Sequence, residues 1–414
     1  MNIWIVCVGE PLPSDGNNPR LRRMGTLAAF LAKEKGNNVE WFSVSFDHYK
    51  KTQRTERNAD IKLADNYTLH IVRVNGYRRN VSLARVIHHK QSASRILKRM
   101  KTSNTKPDVI VASMEPLEVS NAVVKFSKSN KIPAIVDVRD LWPEIYYEVL
   151  PKPLHPLLHL YVKRCSHVLS KTMKNASSIV GLSQGFLDYG LKYANREESC
   201  LDKVIPIGYP DFDKTAYFGN TNVLKSEYGI SENDLTVLFL GNFGNQFNFE
   251  PIIDAAKRLS SYSRIKFVLC GNGSRLEEIK ERTIGCNVVF TGWIEQEMIK
   301  TLACNSSMGI APYINSKNYL LNTPNKFGEY LSYGLPVVLG IQGVMAQLIQ
   351  ENGCGCIYSS GEDLANEILR FNENPSLLND CSRNARRLFE RMFNAEDTNH
   401  LFLDVITGVI NKEN

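Results

Sequence analysis

The stretch TPNKFGEYLSYGLPVV, residues Thr323–Val338, links a helical pattern that ends at Gly334 to an apolar strand pattern that starts after Pro336. A helix that returns directly to a buried strand is typical of parallel sheets covered by helices. The start of this helix carries Lys326 and Glu329. Because the first N–H groups of a helix have no partners within it, this position suits an anion. The stretch therefore indicates both an α/β fold and an anionic ligand.

The same alternation of strand and helix patterns occurs along most of the 414-residue chain. The strand patterns of the first half are IWIVCV, NNVEWFSV, DVIVAS, PAIVDVRD, SSIVGLS and KVIPIG, and those of the second half are LTVLFLGNFG, IKFVLCGNG, NVVFTGW, SMGIAPY, PVVLG and GCIY. A polar, turn-rich connector, residues 210–223, separates the two series. The pattern predicts two doubly wound Rossmann-like α/β domains, residues 1–210 and 223–393, facing across a cleft. A final helix, residues 394–414, is expected to return to the first domain.

Charge is unevenly distributed: the formal net charge is +7, yet Asn66–Pro107 contains no Asp or Glu. Within this stretch, Val81–Lys101 predicts a basic amphipathic helix. Its predicted contacts with an anionic membrane surface or a lipid-linked acceptor are Arg85, Lys90, Arg95, Lys98, Arg99 and Lys101. The alternative is a solvated helix on the first domain. The helix lacks interleaved aromatic residues, which argues against nucleic acid as a partner.

The nine cysteines show no disulfide-framework spacing, which favours a reducing compartment. Cys354 and Cys356 form a C-x-C pair without further soft ligands at suitable spacing, so we expect no metal cofactor. The N-terminal run MNIWIVCVGEP has no basic segment before it and does not fit a secretion signal. No apolar stretch is long enough to cross a bilayer. These features predict a cytoplasmic protein, either soluble or peripheral on the inner face of the cell membrane.

Two glycine-containing loops follow neighbouring strand patterns of the second domain. Gly241 and Gly244 follow LTVLFL, and Gly271 and Gly273 follow IKFVLC. Glycine lets backbone N–H groups come close to an anion, and ligands of doubly wound sheets bind at the carboxyl ends of strands. The alternative is a plain turn between strand and helix.

Lys326 is unfavourable for the dipole of the helix that it begins. The conflict disappears if a diphosphate lies between the ammonium and the helix N–H groups. Glu329 lies about one turn further on the same side, and its carboxylate can accept two hydrogen bonds from a ribose diol. The alternative is a surface pair of Lys326 and Glu329, worth only about 0.2–0.5 kcal/mol. The nearby glycine loops favour the diphosphate.

Polar residues also follow two strand patterns of the first domain. Gly16 and Asn17 belong to the loop after IWIVCV. Arg139, Asp140 and Glu144 follow PAIVDV within VDVRDLWPE. The two carboxylates are candidates for an acid or base, and Arg139 is a candidate partner of a phosphate. The alternative is that Arg139 and Asp140 cap the next segment.

With these motifs, the sequence resembles the retaining glycosyltransferases of family four, which have the GT-B fold. The likeness spans nearly the whole chain, from GNNPRLRRMGTLAAFLAKEKGNNVEWF through LSQGFLDYGL and VIPIG to TGWIEQEMIKTLACNSSMGIAPY and NKFGEYLSYGLPVV. The segment DVRDLWPE looks like the branch that adds amino sugars in bacterial O-antigen and capsule synthesis. These motifs are specific for the fold and for a nucleotide-sugar donor, but not for the sugar.

The resemblance implies roles for matching positions. Glu329 looks like the second glutamate of the family's Glu-x(seven)-Glu motif, which holds the donor ribose, and Lys326 matches a lysine that contacts the donor diphosphate. The full set of predicted donor-binding residues is Gly16, Asn17, Gly241, Asn242, Gly244, Asn245, Gly271, Gly273, Trp293, Ile294, Thr323, Asn325, Lys326, Phe327 and Glu329. The predicted catalytic residues are Asp140, Arg139, Glu144 and Lys326.

Three positions depart from the family pattern. Leu321 stands where the first glutamate of the motif is expected, and Asn245 and Gln246 stand where many relatives carry a cation. Arg139 and Asp140 stand where many relatives carry a histidine. Arg275 or Lys317 are candidates to supply the missing positive charge.

The resemblance implies a retaining, metal-independent transfer of a sugar from a nucleotide sugar, expected to be UDP-linked. The expected acceptor is a saccharide on a polyprenyl diphosphate. The alternatives are a UDP-sugar 2-epimerase of the same fold and a non-catalytic nucleotide-sugar-binding partner subunit. The sequence leaves open the sugar, the linkage and the oligomeric state.

Overall fold

The computed structural model describes residues 1–16, 19–219 and 221–413. They divide into two compact units: unit 1 comprises Met1–Pro206 with Glu396–Asn414, and unit 2 comprises Ile207–Ala395. The turn-rich stretch of residues 210–223 therefore belongs to unit 2.

Unit 1 begins with an apolar strand whose residues are almost fully buried, followed by alternating helices and strands. Its strands are β1 (Asn2–Val6), β2 (Asn38–Val44), β3 (Phe46–Asp47), β4 (Thr52–Gln53), β5 (Ala59–Ala64), β6 (Tyr67–Val72), β7 (Val109–Ser113), β8 (Ala134–Val138), β9 (Ser178–Gly181) and β10 (Lys203–Val204). Its helices are α1 (Arg23–Lys33), α2 (Leu83–Lys101), α3 (Leu117–Asn130), α4 (Ile145–Val149), α5 (His155–Lys174) and α6 (Gln184–Ala194), with a 3₁₀ turn at Lys152–Leu154.

The main sheet of unit 1 has the order β10-β9-β8-β7-β1-β2-β6-β5. Its strands are parallel except for β5, which pairs antiparallel with β6. The order reverses direction between β1 and β7, where Ile3 pairs with Val109. This reversal is the topological switch point at which ligands of doubly wound sheets bind.

Two details of this sheet differ from the sequence prediction. The edge hairpin β5–β6 was not predicted, although the alternating burial of ADIKLA is the period expected for a half-buried strand. The strand predicted over KVIPIG ends at Val204. Pro206 explains the early end, because proline has no N–H to donate to a sheet.

Unit 2 repeats the alternation with a wholly parallel sheet. Its strands are β11 (Leu235–Leu240), β12 (Ile265–Cys270), β13 (Val288–Gly292), β14 (Met308–Ala311), β15 (Val337–Leu339) and β16 (Gly355–Ile357). Its helices are α7 (Thr221–Tyr228), α8 (Glu250–Arg258), α9 (Leu276–Arg282), α10 (Gln296–Cys304), α11 (Lys317–Leu320), α12 (Asn325–Ser332), α13 (Val344–Asn352), α14 (Gly361–Glu373) and α15 (Pro375–Met392). The order β13-β12-β11-β14-β15-β16 puts the switch point between β11 and β14.

The last helix, α16 (Ala395–Glu413), contributes to the core of unit 1. Phe402, Val405 and Ile406 are buried there in one cluster with Ile3 and Leu27. The core of unit 1 is therefore completed by residues that follow unit 2 in the sequence.

Candidate functional site

The glycine loops of unit 2 meet at the carboxyl ends of β11 and β12, next to the switch point of its sheet. Gly241 has φ +153° and Gly271 has φ +126°, conformations that favour glycine. A β-carbon added to Gly271 would lie 1.9 Å from the carbonyl oxygen of Gly241, and one added to Gly273 would lie 2.4 Å from Oδ1 of Asn242. The two loops that follow β11 and β12 therefore touch, and glycine is required for this contact.

Lys326 reaches over the first of these loops from the start of α12. A β-carbon added to Gly241 would lie 1.9 Å from its Nζ. The ammonium lies 4.9 Å from the ring centre of Phe239 and 5.1 Å from that of Phe247. Both rings are buried, so their faces hold the cation beside Gly241. The structure thus brings together the glycine loop and the lysine that the sequence singled out.

Two buried polar atoms precede α12. Asn322 is 7% exposed and Thr323 is 4% exposed. Among the described residues, neither Oδ1 of Asn322 nor Oγ1 of Thr323 has a hydrogen-bond partner. Leaving a buried polar atom unsatisfied costs about 1–3 kcal/mol. A bound ligand at the start of α12 would offset this cost. Sequence reasoning included Thr323 but missed Asn322, whose burial next to Leu321 gives no local signal.

The other predicted residues of α12 differ in accessibility. Glu329 is 8% exposed, within the buried part of the helix that includes Phe327 and Tyr330. Asn325 is exposed. Phe327 is fully buried, with its ring centre 5.6 Å from that of Phe393. Its side chain is therefore a core residue, and only its backbone is available to a ligand.

Asn245 lines a cavity of about 310 Å³ in unit 2. Arg275, Phe247, Tyr313 and Gly340 line the same cavity. The guanidinium of Arg275 lies 3.1 Å from Glu278 and 3.5 Å from Glu250. Of the two suggested replacements for the missing cation, Arg275 is therefore already engaged with two carboxylates, whereas Lys317 is exposed at the start of α11.

Trp293 and Ile294 follow β13 at the same end of the sheet. Trp293 is 77% exposed, whereas Ile294 packs partly against the core. The N–H of Gly271 donates to the carbonyl oxygen of Gly292 at 2.8 Å, which ties this loop to the glycine loop after β12. A large exposed indole beside a glycine loop is available for stacking on a flat ring.

The switch point of unit 1 carries carboxylates instead of a lysine. Glu10 follows β1 and is 3% exposed. Its carboxylate accepts hydrogen bonds from the N–H groups of Met24 and Gly25, at 3.1 and 3.3 Å, in the first turn of α1. It also pairs with the guanidinium of Arg139. Sequence reasoning missed Glu10, because its partners lie 14 to 129 positions away.

Arg139 belongs to a buried network. It donates to Oγ of Ser113 at 2.5 Å and lies 3.7 Å from Asp137. Burial opposes its charged form, but Cys7, Glu10 and Asp137 together raise the pKa of Arg139 above its ordinary value. This guanidinium therefore stays charged and holds the loops after β1, β7 and β8 in position.

Glu115 follows β7 and was not singled out from the sequence. Its Oε1 atom is buried and, among the described residues, has no hydrogen-bond partner. Burial, followed by the charge of Asp140, raises the pKa of Glu115 to about 8. Glu115 therefore carries a proton at neutral pH, next to the predicted acid or base Asp140. The signal that could have identified it is a glutamate directly after a buried strand at the switch point.

Glu144 has a different environment from Asp140. Its carboxylate accepts hydrogen bonds from the hydroxyl groups of Tyr189 and Tyr193, the latter at 2.5 Å. The Tyr189 hydroxyl also donates to the carbonyl oxygen of Trp142 at 2.6 Å. Glu144 thus fixes the DLWPE loop onto α6, which favours a positioning role for this residue.

The loop after β1 is described only in part. Gly16 has φ +111°, a conformation that suits glycine. Asn17 lies outside the described residues.

The basic residues of α2 divide into two groups. Arg85 donates to the carbonyl oxygen of Asn80, Arg95 to that of Arg73, and Arg99 to the carboxylate of Asp60. The other three, which are exposed, are Lys90, Lys98 and Lys101.

Exposed apolar residues were missed at the start of the same helix. Val81, Leu83 and Ile87 are 49%, 82% and 52% exposed. Leu83 and Ile87 are one turn apart and share a face. Within the described chain, none of the helices combines the length and apolar character needed to span a bilayer.

No group of three or more His, Cys, Asp or Glu side chains is arranged to hold a metal ion in the described ranges. Cys354 and Cys356 are both buried. Burial raises the pKa of both thiols, which disfavours the thiolate forms that bind metals.

The comparisons with known proteins agree with this architecture. Residues 220–388 match the family model described as Glycosyl transferases group 1. An alpha-monoglucosyldiacylglycerol synthase of Acholeplasma laidlawii is 19% identical over 216 residues, 49% of this chain and 52% of the relative. An N-acetyl-alpha-D-glucosaminyl L-malate synthase of Bacillus anthracis is 23% identical over 206 residues, 47% of this chain and 51% of the relative. The chain spans about half the length of the curated relatives it matches.

Solved structures resemble the chain over almost its whole length. Sucrose-phosphate synthase from Thermosynechococcus elongatus has a TM-score of 0.73 at 15% identity and covers 99% of both chains. HepE of Anabaena in complex with UDP-glucose has a TM-score of 0.64 at 15% identity and covers 99% of this chain and 100% of its own. The fold is GT-B, as predicted, and the family model and relatives support a relationship to the group 1 glycosyltransferases.

Proposed function

We propose that the protein is a retaining glycosyltransferase that moves a sugar from a UDP-sugar to a saccharide carried on a polyprenyl diphosphate. The observation that carries the proposal is the position of the Lys326 ammonium, directly over Gly241 and at the start of α12. This arrangement lies within the segment that matches the glycosyltransferase family model. The proposed role of the product is in surface polysaccharide biosynthesis.

The proposed site for the donor diphosphate lies between Lys326, the loop at Gly241 and the N–H groups of α12. A cation next to a helix N-terminus is unfavourable by itself, and a diphosphate between them would remove the conflict. Phe239 and Phe247 exclude water from one side of the ammonium, which strengthens its attraction to an anion. The complexes of the structural neighbour HepE with UDP and UDP-glucose support a nucleotide-sugar donor.

The remaining donor contacts follow from the same placement. Glu329 would accept hydrogen bonds from the ribose hydroxyls, and Trp293 with Ile294 would hold the base. The unpartnered oxygen atoms of Asn322 and Thr323 would accept hydrogen bonds from hydroxyl groups of the sugar. Leu321, which stands where the first glutamate of the family motif is expected, cannot form such hydrogen bonds. Asn322 would form them with the sugar instead.

Catalysis would consist mainly of stabilising the leaving diphosphate. The bond from the sugar to the diphosphate breaks as negative charge accumulates on the phosphate oxygens. Lys326 and the preorganised amides would stabilise that charge most in the transition state. Because the acceptor hydroxyl attacks from the same face, its proton would pass to the departing phosphate, and Asp140 would orient the acceptor. The proposal requires no metal ion.

The lipid-linked acceptor and an amino sugar are the finer parts of the proposal. The names of the curated relatives include a glucosyldiacylglycerol product and an N-acetylglucosaminyl group, which supports both ideas. The exposed side chains of Val81, Leu83 and Ile87, with Lys90 and Lys98 on the same helix, suit the surface of an anionic membrane.

Vesicle sedimentation tests the membrane part. Leu83→Glu combined with Ile87→Glu should weaken binding to vesicles that contain phosphatidylglycerol. The matched control is Leu160→Glu, which changes another exposed leucine of unit 1, 76% exposed on α5. Equal sedimentation of the double variant and the wild type would contradict the proposed binding of α2 to the membrane.

Incubation with a panel of UDP-sugars tests the whole proposal. The panel is combined with a prenyl-diphosphate-linked saccharide, with and without EDTA, and the products are examined by mass spectrometry and NMR. Transfer with retained anomeric configuration in the presence of EDTA is expected. Formation of an epimer would favour the 2-epimerase, and binding without any turnover would favour the non-catalytic subunit, for which the departures at Leu321 and Asn245 argue.

A further inference from the structure

A group of nitrogen-bearing side chains in unit 1 is not used by the proposed chemistry. It lies at the carboxyl end of the sheet, where the β3–β4 hairpin, the loop after β6 and the start of α2 come together. We refer to it as the Lys51 cluster, and its members are His48, Lys51, Asn80, Arg85 and His89, with Tyr77 and Trp142 as aromatic walls.

Lys51 and Arg85 are held close to each other. Nζ of Lys51 donates to Oδ1 of Asn80 at 2.6 Å and lies 3.4 Å from Nδ1 of His48. The guanidinium of Arg85 donates to the carbonyl oxygen of Asn80 at 2.9 Å. Both cations also lie over the ring of Tyr77, at 4.6 and 5.8 Å from its centre. Asn80 and the ring of Tyr77 therefore hold the two positive charges side by side.

The cations of the cluster lack matching carboxylates. In the ranges that the structure describes, neither Lys51 nor Arg85 forms an ion pair. The two nearest acidic groups have other partners: Asp47 lies 3.6 Å from Arg54, and Glu118 lies 3.6 Å from Nδ1 of His89. Two adjacent cations in a partly buried place repel each other, so an anion that contacts both would be bound strongly.

The titration behaviour of the cluster agrees with this geometry. Burial and then the charge of Lys51 lower the pKa of His48 to about 4, and burial and then Arg85 lower the pKa of His89 to about 3. Burial, followed by Arg85, also lowers the pKa of Lys51. The two imidazoles are therefore neutral at neutral pH, and the positive charge of the cluster is concentrated on Arg85 and Lys51.

An exposed aromatic ring adjoins the cluster. The ring centre of Tyr49, on the β3–β4 hairpin, lies 5.2 Å from that of His48, and Tyr49 is 52% exposed. Leu83 and Ile87 are each two positions from Arg85 and therefore leave α2 from its opposite side. A charged pocket with an exposed ring at its edge fits a ligand that joins a phosphate group to a hydrocarbon chain. An inorganic phosphate would use only the pocket, and a flat anionic membrane would use mainly the outer surface.

We infer that the Lys51 cluster binds the diphosphate group of a prenyl-diphosphate-linked acceptor, with the start of the hydrocarbon chain lying against the exposed ring of Tyr49. This inference rests on the proposed function, because only a lipid-linked acceptor brings these two groups together. It assigns the acceptor diphosphate to unit 1, separate from the donor diphosphate beside Lys326.

The backbone of Lys51 provides a clean test. Lys51 has φ +56°, a left-handed conformation that glycine adopts without strain. Lys51→Gly therefore removes the ammonium without imposing a new backbone strain. Lys50→Ala is the control, because Lys50 is exposed on the same hairpin and outside the cluster.

Calorimetric titration of the full chain with farnesyl diphosphate, in excess UDP to fill the donor site, measures the binding. Lys51→Gly should raise the Kd by about tenfold or more, as expected for a lost charge-assisted contact, whereas Lys50→Ala should leave it unchanged. Farnesol and inorganic pyrophosphate, each lacking one half of the ligand, should bind more weakly. Equal affinity of wild type and Lys51→Gly for farnesyl diphosphate would overturn the inference.

Two further arms separate the sources of phosphate and the two proposals. Vesicles of phosphatidylglycerol should bind wild type and Lys51→Gly alike, and a loss of vesicle binding alone would assign the cluster to a membrane headgroup instead. Lys326→Ala should lose UDP binding but retain farnesyl diphosphate binding. Loss of UDP binding by Lys51→Gly would contradict the separation of the two sites, whereas failure of the wild type to bind UDP would contradict the proposed function alone.

Discussion

The two main sheets of the molecule share the order of six parallel strands but carry different chemistry at their switch points. Unit 2 places glycine loops, an ammonium and unpartnered oxygen atoms there, whereas unit 1 places Glu10, Glu115 and the charged Arg139. Backbone N–H groups and a lysine suit a phosphate. Carboxyl groups, one of them protonated at neutral pH, suit hydroxyl groups of a sugar. The comparison teaches that the same topology can place a switch point in each unit, while the residues of the loops determine the charge that the switch point presents to a ligand.

The largest expected effect comes from removing the ammonium of unit 2. Lys326→Ala should lower kcat/KM for sugar transfer by about 100- to 1,000-fold, the range found when one preorganised donor to a developing charge is lost. The thermal stabilisation by UDP should also disappear. The control is Lys225→Ala, an exposed lysine of the same unit. An unchanged rate would mean that the diphosphate binds elsewhere.

Substitution of Gly241, the glycine next to the Lys326 ammonium, should have the next largest effect. Gly241→Ala would bring a β-carbon within 1.9 Å of Nζ of Lys326, so the ammonium must move. The Kd for UDP, measured by calorimetry, should rise by about tenfold or more.

Gly285→Ala is the matched control for that substitution. Gly285 also has a positive φ, +81°, but an added β-carbon meets no atom within 4 Å. Both variants should lose roughly 1 kcal/mol of stability from backbone strain, and only Gly241→Ala should lose affinity for UDP. Equal effects of both variants on UDP binding would reduce Gly241 to a purely structural role.

The unpartnered hydroxyl of Thr323 should show opposite effects on stability and binding. Thr323→Val keeps the shape but removes a buried hydroxyl that has no partner, so the free energy of unfolding without ligand should rise by about 1 kcal/mol. The KM for the UDP-sugar should rise by roughly three- to tenfold, because a hydrogen bond to the sugar is lost.

A second buried threonine of unit 2 provides the reference. Oγ1 of Thr236 accepts a hydrogen bond from the N–H of Ser307 at 3.0 Å. Thr236→Val should therefore lower the free energy of unfolding, in contrast to Thr323→Val. Denaturant titration measures both, and a loss of stability in both variants would indicate a partner for Thr323 in the folded protein.

The smallest expected effect concerns the protonated carboxyl of unit 1. The pKa of Glu115 is about 8 in the folded protein, whereas an unfolded glutamate has a pKa of about 4.3. The folded state thus binds the additional proton between these values, and its stability falls as pH rises through them. Glu115→Gln removes this dependence, so its melting temperature should exceed that of the wild type by a few degrees at about pH 9 but not at about pH 5.

Glu197→Gln, which changes an exposed glutamate of the same unit, should show no such difference. Parallel melting curves of wild type and Glu115→Gln across the pH range would show that Glu115 is ionised in the folded protein. The Glu115 carboxylate could then only accept hydrogen bonds. The two switch points would differ in the sign of their charge, and unit 1 would lack a protonated carboxyl.

Much of this arrangement could be predicted from local patterns. The strand and helix alternation gave the GT-B fold, and the glycine loops with Lys326 lie in short segments whose spacing is visible in the sequence. These features depend on neighbours within a few residues. The donor role of these residues stays a prediction.

The features that were missed depend on contacts between distant positions. Arg139 and Glu10 are 129 positions apart, and the burial that raises the pKa of Glu115 arises from several strands and loops. The same holds for Glu144, which was predicted as an acid or base but accepts hydrogen bonds from two tyrosines of α6. A sequence shows which groups can ionise, but the folded surroundings determine whether they do.

The return of α16 to unit 1 has a consequence for synthesis of the protein. Unit 2 is one continuous segment, whereas the core of unit 1 needs Phe402 and Ile406 from beyond it. During translation the first 206 residues emerge early, but their core is incomplete until α16 has been synthesised. Unit 2 can therefore reach its native structure before unit 1, and a truncation before residue 396 would expose the apolar interior of unit 1 while leaving unit 2 intact.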